Sequence, residues 1–370
     1  EADFYENGKL VRKKYLTVSF PYSNDGYSQV FGGETAECVC QGLVDIFEFI
    51  GGVPPLLIFD NATGVGRRIG DVIHETELFS RFRAHYHFRV RFCNPYSGWE
   101  KGNVENKVGY LRRNHLVPIP RFDDLTEQNK QFLVCCETDM QREHYEDGNG
   151  RFIRELFEED VAHLRPLPSV PFDTANYITA KTDKYGKFTL DAGKHRYSAS
   201  PVFCESIVNL KITSASVTVL DKDMHEIVCH KRLYGSDHES MDWVPYLAYI
   251  ARKPRSLRNS GIYDMMPQTM RLYMDSCENK DRGRILKVLA ELTERTGFTS
   301  AVNTVNEAVR MNATDPDSLE TLYRRTYADV PVLPPLDSGP DIPKQRIIPF
   351  RNDLQKLDAA LHKGGAFNHG

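Results

Sequence analysis

The chain lacks the marks of a membrane or secreted protein. Among its 370 residues no apolar run approaches the ~18 needed for a spanning helix. The opening EADFYENG has neither a basic stretch nor an apolar core of the secretory kind. The eight cysteines (Cys38, Cys40, Cys93, Cys135, Cys136, Cys204, Cys229 and Cys277) form no CxxC pair. That removes the common zinc and redox motifs and leaves small buried thiols in a reducing compartment. His85 and His87 alternate in a strand-like run with no third ligand in sight, and read as packing or surface residues. No internal repeat or long low-complexity tract is present. The first residue is Glu and a strand begins at once, so the chain reads as a fragment of a longer protein.

A strong charge of either sign is also missing: the net charge is −4. Its distribution says more. Residues 60–121 hold 11 Lys/Arg against 6 Asp/Glu, and residues 181–258 hold 13 against 9. Residues 122–180, between them, hold 5 against 13. Two mildly basic blocks around an acidic one allow contact with a polyanion at selected faces.

What is present is a succession of legible elements. Asn7-Gly8 supplies the two left-handed positions of a hairpin turn between ADFY and KLVRKKYLTVSF. A third strand, near GYSQVF, follows the polar turn SNDG. Residues 34–50 change to helical period, with Cys40, Leu43, Val44, Phe47 and Ile50 on one face and Gly51-Gly52 as the stop. PPLLIFDN reads as a buried central strand ending in Asp60. A helix near 75–86, the strand FRVRF, the loop NPYSGWEKG and a helix over about 103–115 complete an α/β unit with a mixed five-stranded sheet. Residues 121–180 read as an acidic helical connector closed by the Pro-rich LRPLPSVP. Within 181–235, KFTLD, HRYSAS, SIVNLKIT, SVTVLD and EIVCHKRL predict a small β-barrel. Residues 236–327 return to helix. Residues 328–370 read as an extended linker and an amphipathic tail helix around Leu354, Leu357 and Leu361.

Three acidic residues attract attention together. Asp60 ends a strand, where open α/β sheets place ligand and catalytic groups, though Asp-Asn is also an ordinary strand exit. Asp3 lies in the first strand, where its type is disfavoured, though it could equally be an exposed carboxylate near a sheet end. Glu105 is about 100° around its helix from Val104, at the margin of a seam formed by Val104, Val108 and Leu111. There it is either a helix-N-terminal carboxylate favoured by the macrodipole or one that looks over the sheet. If the sheet brings the three together, their repulsion calls for cations. Oxygen-only ligands select Mg2+ or Mn2+, and a pair of such ions suits in-line phosphodiester chemistry.

The order D…D…E on a strand–strand–helix frame resembles the DDE catalytic core of retroviral-integrase-like enzymes, an RNase H-like fold. ADFYENG, GGVPPLLIFDN and KGNVENKVGYLRRN are similar to the IstA-type transposases of the twenty-one group of bacterial insertion sequences. HRYSASP, VNLKI and EIVCHKR resemble the barrel that follows the core there. The likeness covers about residues 1–235 well. The helix-turn-helix modules that precede the core in that family would belong to a longer protein. The resemblance implies that Asp3, Asp60 and Glu105 are the catalytic metal ligands, holding two Mg2+ ions (or Mn2+). It implies hydrolysis at the 3′ ends of an element and transfer of those ends into target DNA. It implies as partners transposon-end and target DNA, an AAA+ ATPase helper of the IstB type, and self-association as a dimer or higher assembly, in a bacterial cytoplasm at the nucleoid. Lys101, Lys107, Arg112 and Arg113 around Glu105 are candidate phosphate contacts. Lys194, Arg196, Lys231 and Arg232, with His195 and His230, form two basic clusters on the barrel that are candidate contacts to the DNA backbone. Trp99 either stacks on a base or anchors its loop. The tail helix is a docking candidate for the ATPase. Two other readings remain: a nuclease or resolvase that cuts without joining, and a non-catalytic DNA-binding protein derived from a transposase.

Overall fold

The computed structural model describes residues 1–60, 63–69, 72–93, 98–145, 150–313 and 315–327, without the side chains of 68, 69, 72 and 98–104. The tail helix and its leucines lie outside the described residues. The chain divides into two compact units, Glu1–Tyr323 and Arg324–Gly370.

The first unit opens with β1 (Ala2–Glu6), β2 (Lys9–Phe20) and β3 (Asp25–Phe31). Asn7 and Gly8 have φ of 50° and 76°, so the β1–β2 turn is built as Asn-Gly predicts. Thr35 then leads into α1 (Ala36–Ile50), which Gly51 ends at φ 75°. The buried face of α1 (Cys40, Leu43, Val44, Phe47) packs on Leu78, Phe79, Phe82 and Tyr86 of α2 (Glu77–Tyr86). Between these helices lie β4 (Leu56–Phe59) and a hairpin of β5 (Gly66–Ile69) and β6 (Val72–Glu75). The hairpin went unread in the sequence. Thr76 caps α2, and His87 closes it at φ 56°, so His85 and His87 belong to a helix end and not to a strand. Next come β7 (Arg89–Phe92), α3 (Gly98–His115), β8 (Arg121–Phe122), α4 (Leu125–Asp139) and α5 (Ile153–Val161).

One mixed five-stranded sheet was expected. Among the described strands, the order is instead β3-β2-β1-β8 in one sheet and β4-β7 in another. β1 pairs β2 antiparallel and the two-residue β8 parallel, while β4 pairs β7 parallel. Nor is β4 buried on both faces: Leu57 is enclosed, whereas Leu56 and Ile58 are 38% and 43% exposed. Four apolar residues in a row cannot reveal that only one face is covered. The far edge of β3 is closed by a side chain. Asn129 of α4 accepts from Val30 N–H (2.7 Å) and donates to Val30 C=O (2.9 Å), as a neighbouring peptide would.

All five predicted barrel strands form: β10 (Lys187–Leu190), β11 (His195–Ser198), β12 (Ile207–Ile212), β13 (Ser216–Leu220) and β14 (Glu226–Lys231). Two more join them, β9 (Asn176–Lys181) and β15 (Glu239–Ser240). The sheets β14-β13-β12-β9 and β10-β11-β15 close on a common core of Phe188, Tyr197, Val208, Leu210, Ile212, Val217 and Val219. The helices α6 (Val244–Ala251), α7 (Gly261–Met265), α8 (Gln268–Ser276), α9 (Arg282–Thr296), α10 (Phe298–Arg310) and α11 (Pro316–Tyr327) follow. No cysteine forms a disulfide; Cys38, Cys40, Cys93, Cys136 and Cys277 are buried as expected, whereas Cys135, Cys204 and Cys229 are exposed. Among the described residues, no helix is long and apolar enough to cross a membrane.

Candidate active site and nucleic-acid interface

Asp3 is exposed on β1, opposite Arg12 of β2, and its neighbour Phe4 turns the other way into the core. Asp60 directly follows β4 and is also exposed. Glu105 is exposed on α3. β1 and β4 are not hydrogen-bonded neighbours among the described strands, so sheet pairing does not join Asp3 to Asp60.

Helix α3 is rolled differently from its predicted seam. Among its described side chains the enclosed ones are Lys107 and Leu111, 4% and 3% exposed, while Val108 is only half-buried. Leu111 of the predicted seam is enclosed and the side chain of Val104 lies outside the described residues; the departure is Lys107, because the expectation admitted only apolar residues to the buried stripe. Glu105 lies about 200° around the helix from Lys107 and so points away from the sheet. Arg112 is within about 20° of Glu105 around the helix, two turns on. It donates to the Glu1 carbonyl at 2.7 Å. From this solvent-facing edge the long Arg112 side chain thus reaches back to the residue before β1.

Burial revises two of the expected phosphate contacts. Lys107 reaches inward to the Asn24 carbonyl (3.4 Å), and burial pulls its ammonium below the usual lysine range. Arg232 is 7% exposed and paired with Glu37 at 3.1 Å. Burial pushes the Glu37 carboxyl up, but Arg232 beside it brings the net value below normal. Neither cation is presented to a ligand. His195 and His230 are buried too, each bonded to a backbone carbonyl at 2.6 Å.

The other basic residues stand at the surface to differing degrees. Arg113 and Lys194 are exposed. Lys231 is 74% exposed, although it bonds Glu6 at 2.7 Å, and Arg196 is half-buried in an ion pair with Asp183. The side chains of Lys101 and Trp99 lie outside the described residues. A cleft of about 1350 Å³ runs between the edge of the first sheet and the barrel, and none of the three carboxylates lines it. Among the described residues, the one grouping with metal-ligand spacing is Asp221, Asp223 and His225. It is a β13–β14 turn, in which Asp221 accepts from the amides of Asp223 and His225 at 2.8 and 2.9 Å.

No protein-family model matches the chain. A transposase of Aminobacter aminovorans is 26% identical over 356 residues, covering 92% of this chain and 68% of that protein. The transposase for insertion sequences IS1326/IS1353 of Pseudomonas aeruginosa is 27% identical over 70% of this chain and 52% of its own length. A transposase for an IS21-like element of Bacteroides fragilis is 26% identical over 50% of this chain and 36% of its own. The chain is similar to transposases of bacterial insertion sequences. It spans about two thirds of the first of these relatives and about half or less of the others. A chain of the simian T-cell lymphotropic virus intasome in complex with PP2A regulatory subunit B56 gamma aligns at a TM-score of 0.31 and 11% identity, covering 63% of this chain and 76% of that one. At that score the likeness carries no argument about fold.

Proposed function

We propose that this chain is the catalytic part of a DNA transposase of the IstA type, built on an RNase H-like core, which cleaves at the 3′ ends of an insertion element and joins them to target DNA. The observation that carries the reading is the alignment of 92% of the chain with a transposase. Asp3, Asp60 and Glu105 are the ligands for the divalent ions. Their chemistry fits: all three are exposed carboxylates on separate elements, and oxygen donors of this kind suit Mg2+ or Mn2+. When bound, such ions make water or a 3′-hydroxyl a competent nucleophile and stabilise the leaving oxygen. The protein brings no nucleophile of its own.

Arg112 and Arg113, on the solvent side of α3, hold phosphates beside Glu105, and Lys101 is a further candidate for that role. Lys194, Arg196 and Lys231 supply sequence-independent contacts from the barrel. The substrates place the protein at the bacterial nucleoid, as a dimer or larger assembly, with an AAA+ ATPase of the IstB type as helper. Asp60→Asn is expected to lower strand transfer by at least a thousandfold while element-end binding changes less than twofold. Joining assays with pre-cleaved ends, Mg2+ and a target plasmid check this. Joining at the normal rate by the variant would end the site assignment. Cutting without joined product by the wild type would replace the transposase reading with a nuclease.

A further inference from the structure

Residue Lys107 has no role in phosphate contact, and its surroundings show another. Its aliphatic stem crosses β3 at Gly26, where a Cβ would stand 2.8 Å from Lys107 Cε and 3.2 Å from its Cγ. Only glycine leaves that groove open. The ammonium continues past it to the Asn24 carbonyl. Asp25, fully buried beside it, offers the compensating charge: burial raises its carboxyl and Lys107 pulls it back. Further along α3, Tyr110 and His115 both bond Asp139 of α4, at 3.2 and 2.7 Å. The helix is thus held at Lys107 by β3 and at Tyr110 and His115 by α4. Lys107 is the fixed point nearest Glu105, two residues away.

We propose that Lys107, seated in the Gly26 groove against Asn24 and Asp25, is a positioning residue that sets the roll of α3 and thereby aims Glu105 at the divalent-ion site. The proposal rests on the metal-ligand reading of Glu105 given above. A helix rolls about its axis when its buried stripe loosens. A carboxylate on the far side then swings through the same angle as the stripe. Outer residues that orient a ligand commonly alter metal affinity by about 10–100-fold.

The sign of the effect separates positioning from charge. Removing a nearby cation would by itself tighten the binding of another cation, whereas loss of aim weakens it. Mn2+ binding by the full chain on duplex DNA, read from the electron paramagnetic resonance of free Mn2+, is the measurement. Lys107→Met keeps the stem and removes the ammonium. Expected is an about tenfold weaker Mn2+ affinity in the wild-type background and less than twofold in a Glu105→Gln background, with DNA binding unchanged. Asp25→Asn removes the opposite charge near the ammonium without shortening any side chain. The loss of an anion weakens Mn2+ equally in both backgrounds, so positioning is read here as a further, about threefold weakening in the wild-type background that is absent in the Glu105→Gln background. That difference decides the matter alone if the Lys107 variant does not fold. Unchanged or tighter Mn2+ binding, or equal weakening in both backgrounds, overturns the positioning role and leaves the metal site standing. Normal Mn2+ binding by Glu105→Gln itself overturns the metal-ligand reading, and the positioning role with it.

Discussion

At the scale of single residues, the buried charges decide more than the exposed ones. Arg232 and Glu37 are 7% and 5% exposed and bonded at 3.1 Å, with Arg232 also donating to the Thr213 carbonyl. Removing one member leaves the other charged and desolvated, a loss of about 3–5 kcal/mol. Arg232→Met is therefore expected to lower the urea midpoint strongly while leaving DNA affinity per folded molecule unchanged. A normal midpoint with weakened DNA binding would return Arg232 to the surface role first assigned to it. Asp25 makes a prediction in pH. Burial raises its carboxyl from 3.8 to about 6. The folded state thus binds this proton more tightly than the unfolded one, so the contribution favours folding below about pH 4 and is lost as pH rises to about 6, a change of ~3 kcal/mol. The urea midpoint of the wild type should fall relative to that of Asp25→Asn as pH rises across that window. Parallel curves would mean that Asp25 does not titrate there.

At the scale of elements, local signals were read correctly wherever the chain itself sets the geometry. Asn7-Gly8, the stop at Gly51 and the five barrel strands all stand where turn chemistry and alternation put them. The failures share a cause: burial depends on what an element packs against. The α3 seam was drawn through apolar residues, yet the sheet accepts Lys107, because Gly26 makes room and Asp25 supplies the opposite charge. β4 was read as buried on both sides and is covered on one. β9 escaped notice because most of NYITAK is exposed, as suits an edge strand. Asn129 carries the test at this scale, because it closes the β3 edge with two buried hydrogen bonds. Asn129→Ala leaves the Val30 N–H and C=O without partners and is expected to cost ~2–4 kcal/mol in denaturant titration. A cost below about 1 kcal/mol would show that the edge is satisfied by water instead.

At the scale of the molecule, the barrel is fastened to the first sheet by more than its linker. Tyr234 lies across Gly32 and Gly33, where a Cβ would stand 2.1 and 2.6 Å from its ring. Its hydroxyl donates to the Ser214 carbonyl at 2.8 Å and stands 3.2 Å from the Cys38 sulfur of α1. With Arg232–Glu37 and Lys231–Glu6, this seam fixes the barrel against the core. Gly32→Ala should drive the ring out and cost about 1–3 kcal/mol. It should also make the strap at Tyr234 a new cleavage site in limited proteolysis. An unaltered digestion pattern would show that the two parts are held without this contact.

The sequence by itself determined the first hairpin, the end of α1 and five of the barrel strands, because turn residues, periodicity and strand ends are properties of neighbours along the chain. The similarity to transposases likewise rests on sequence alone. Only the tertiary structure decided which cations face solvent, which way α3 is rolled and which strands pair. Those depend on partners up to about two hundred positions away, as with Glu37 and Arg232. The physical reason is desolvation. A lysine or arginine can be buried only where another segment brings an acid or a carbonyl to it, and no local pattern records that arrival.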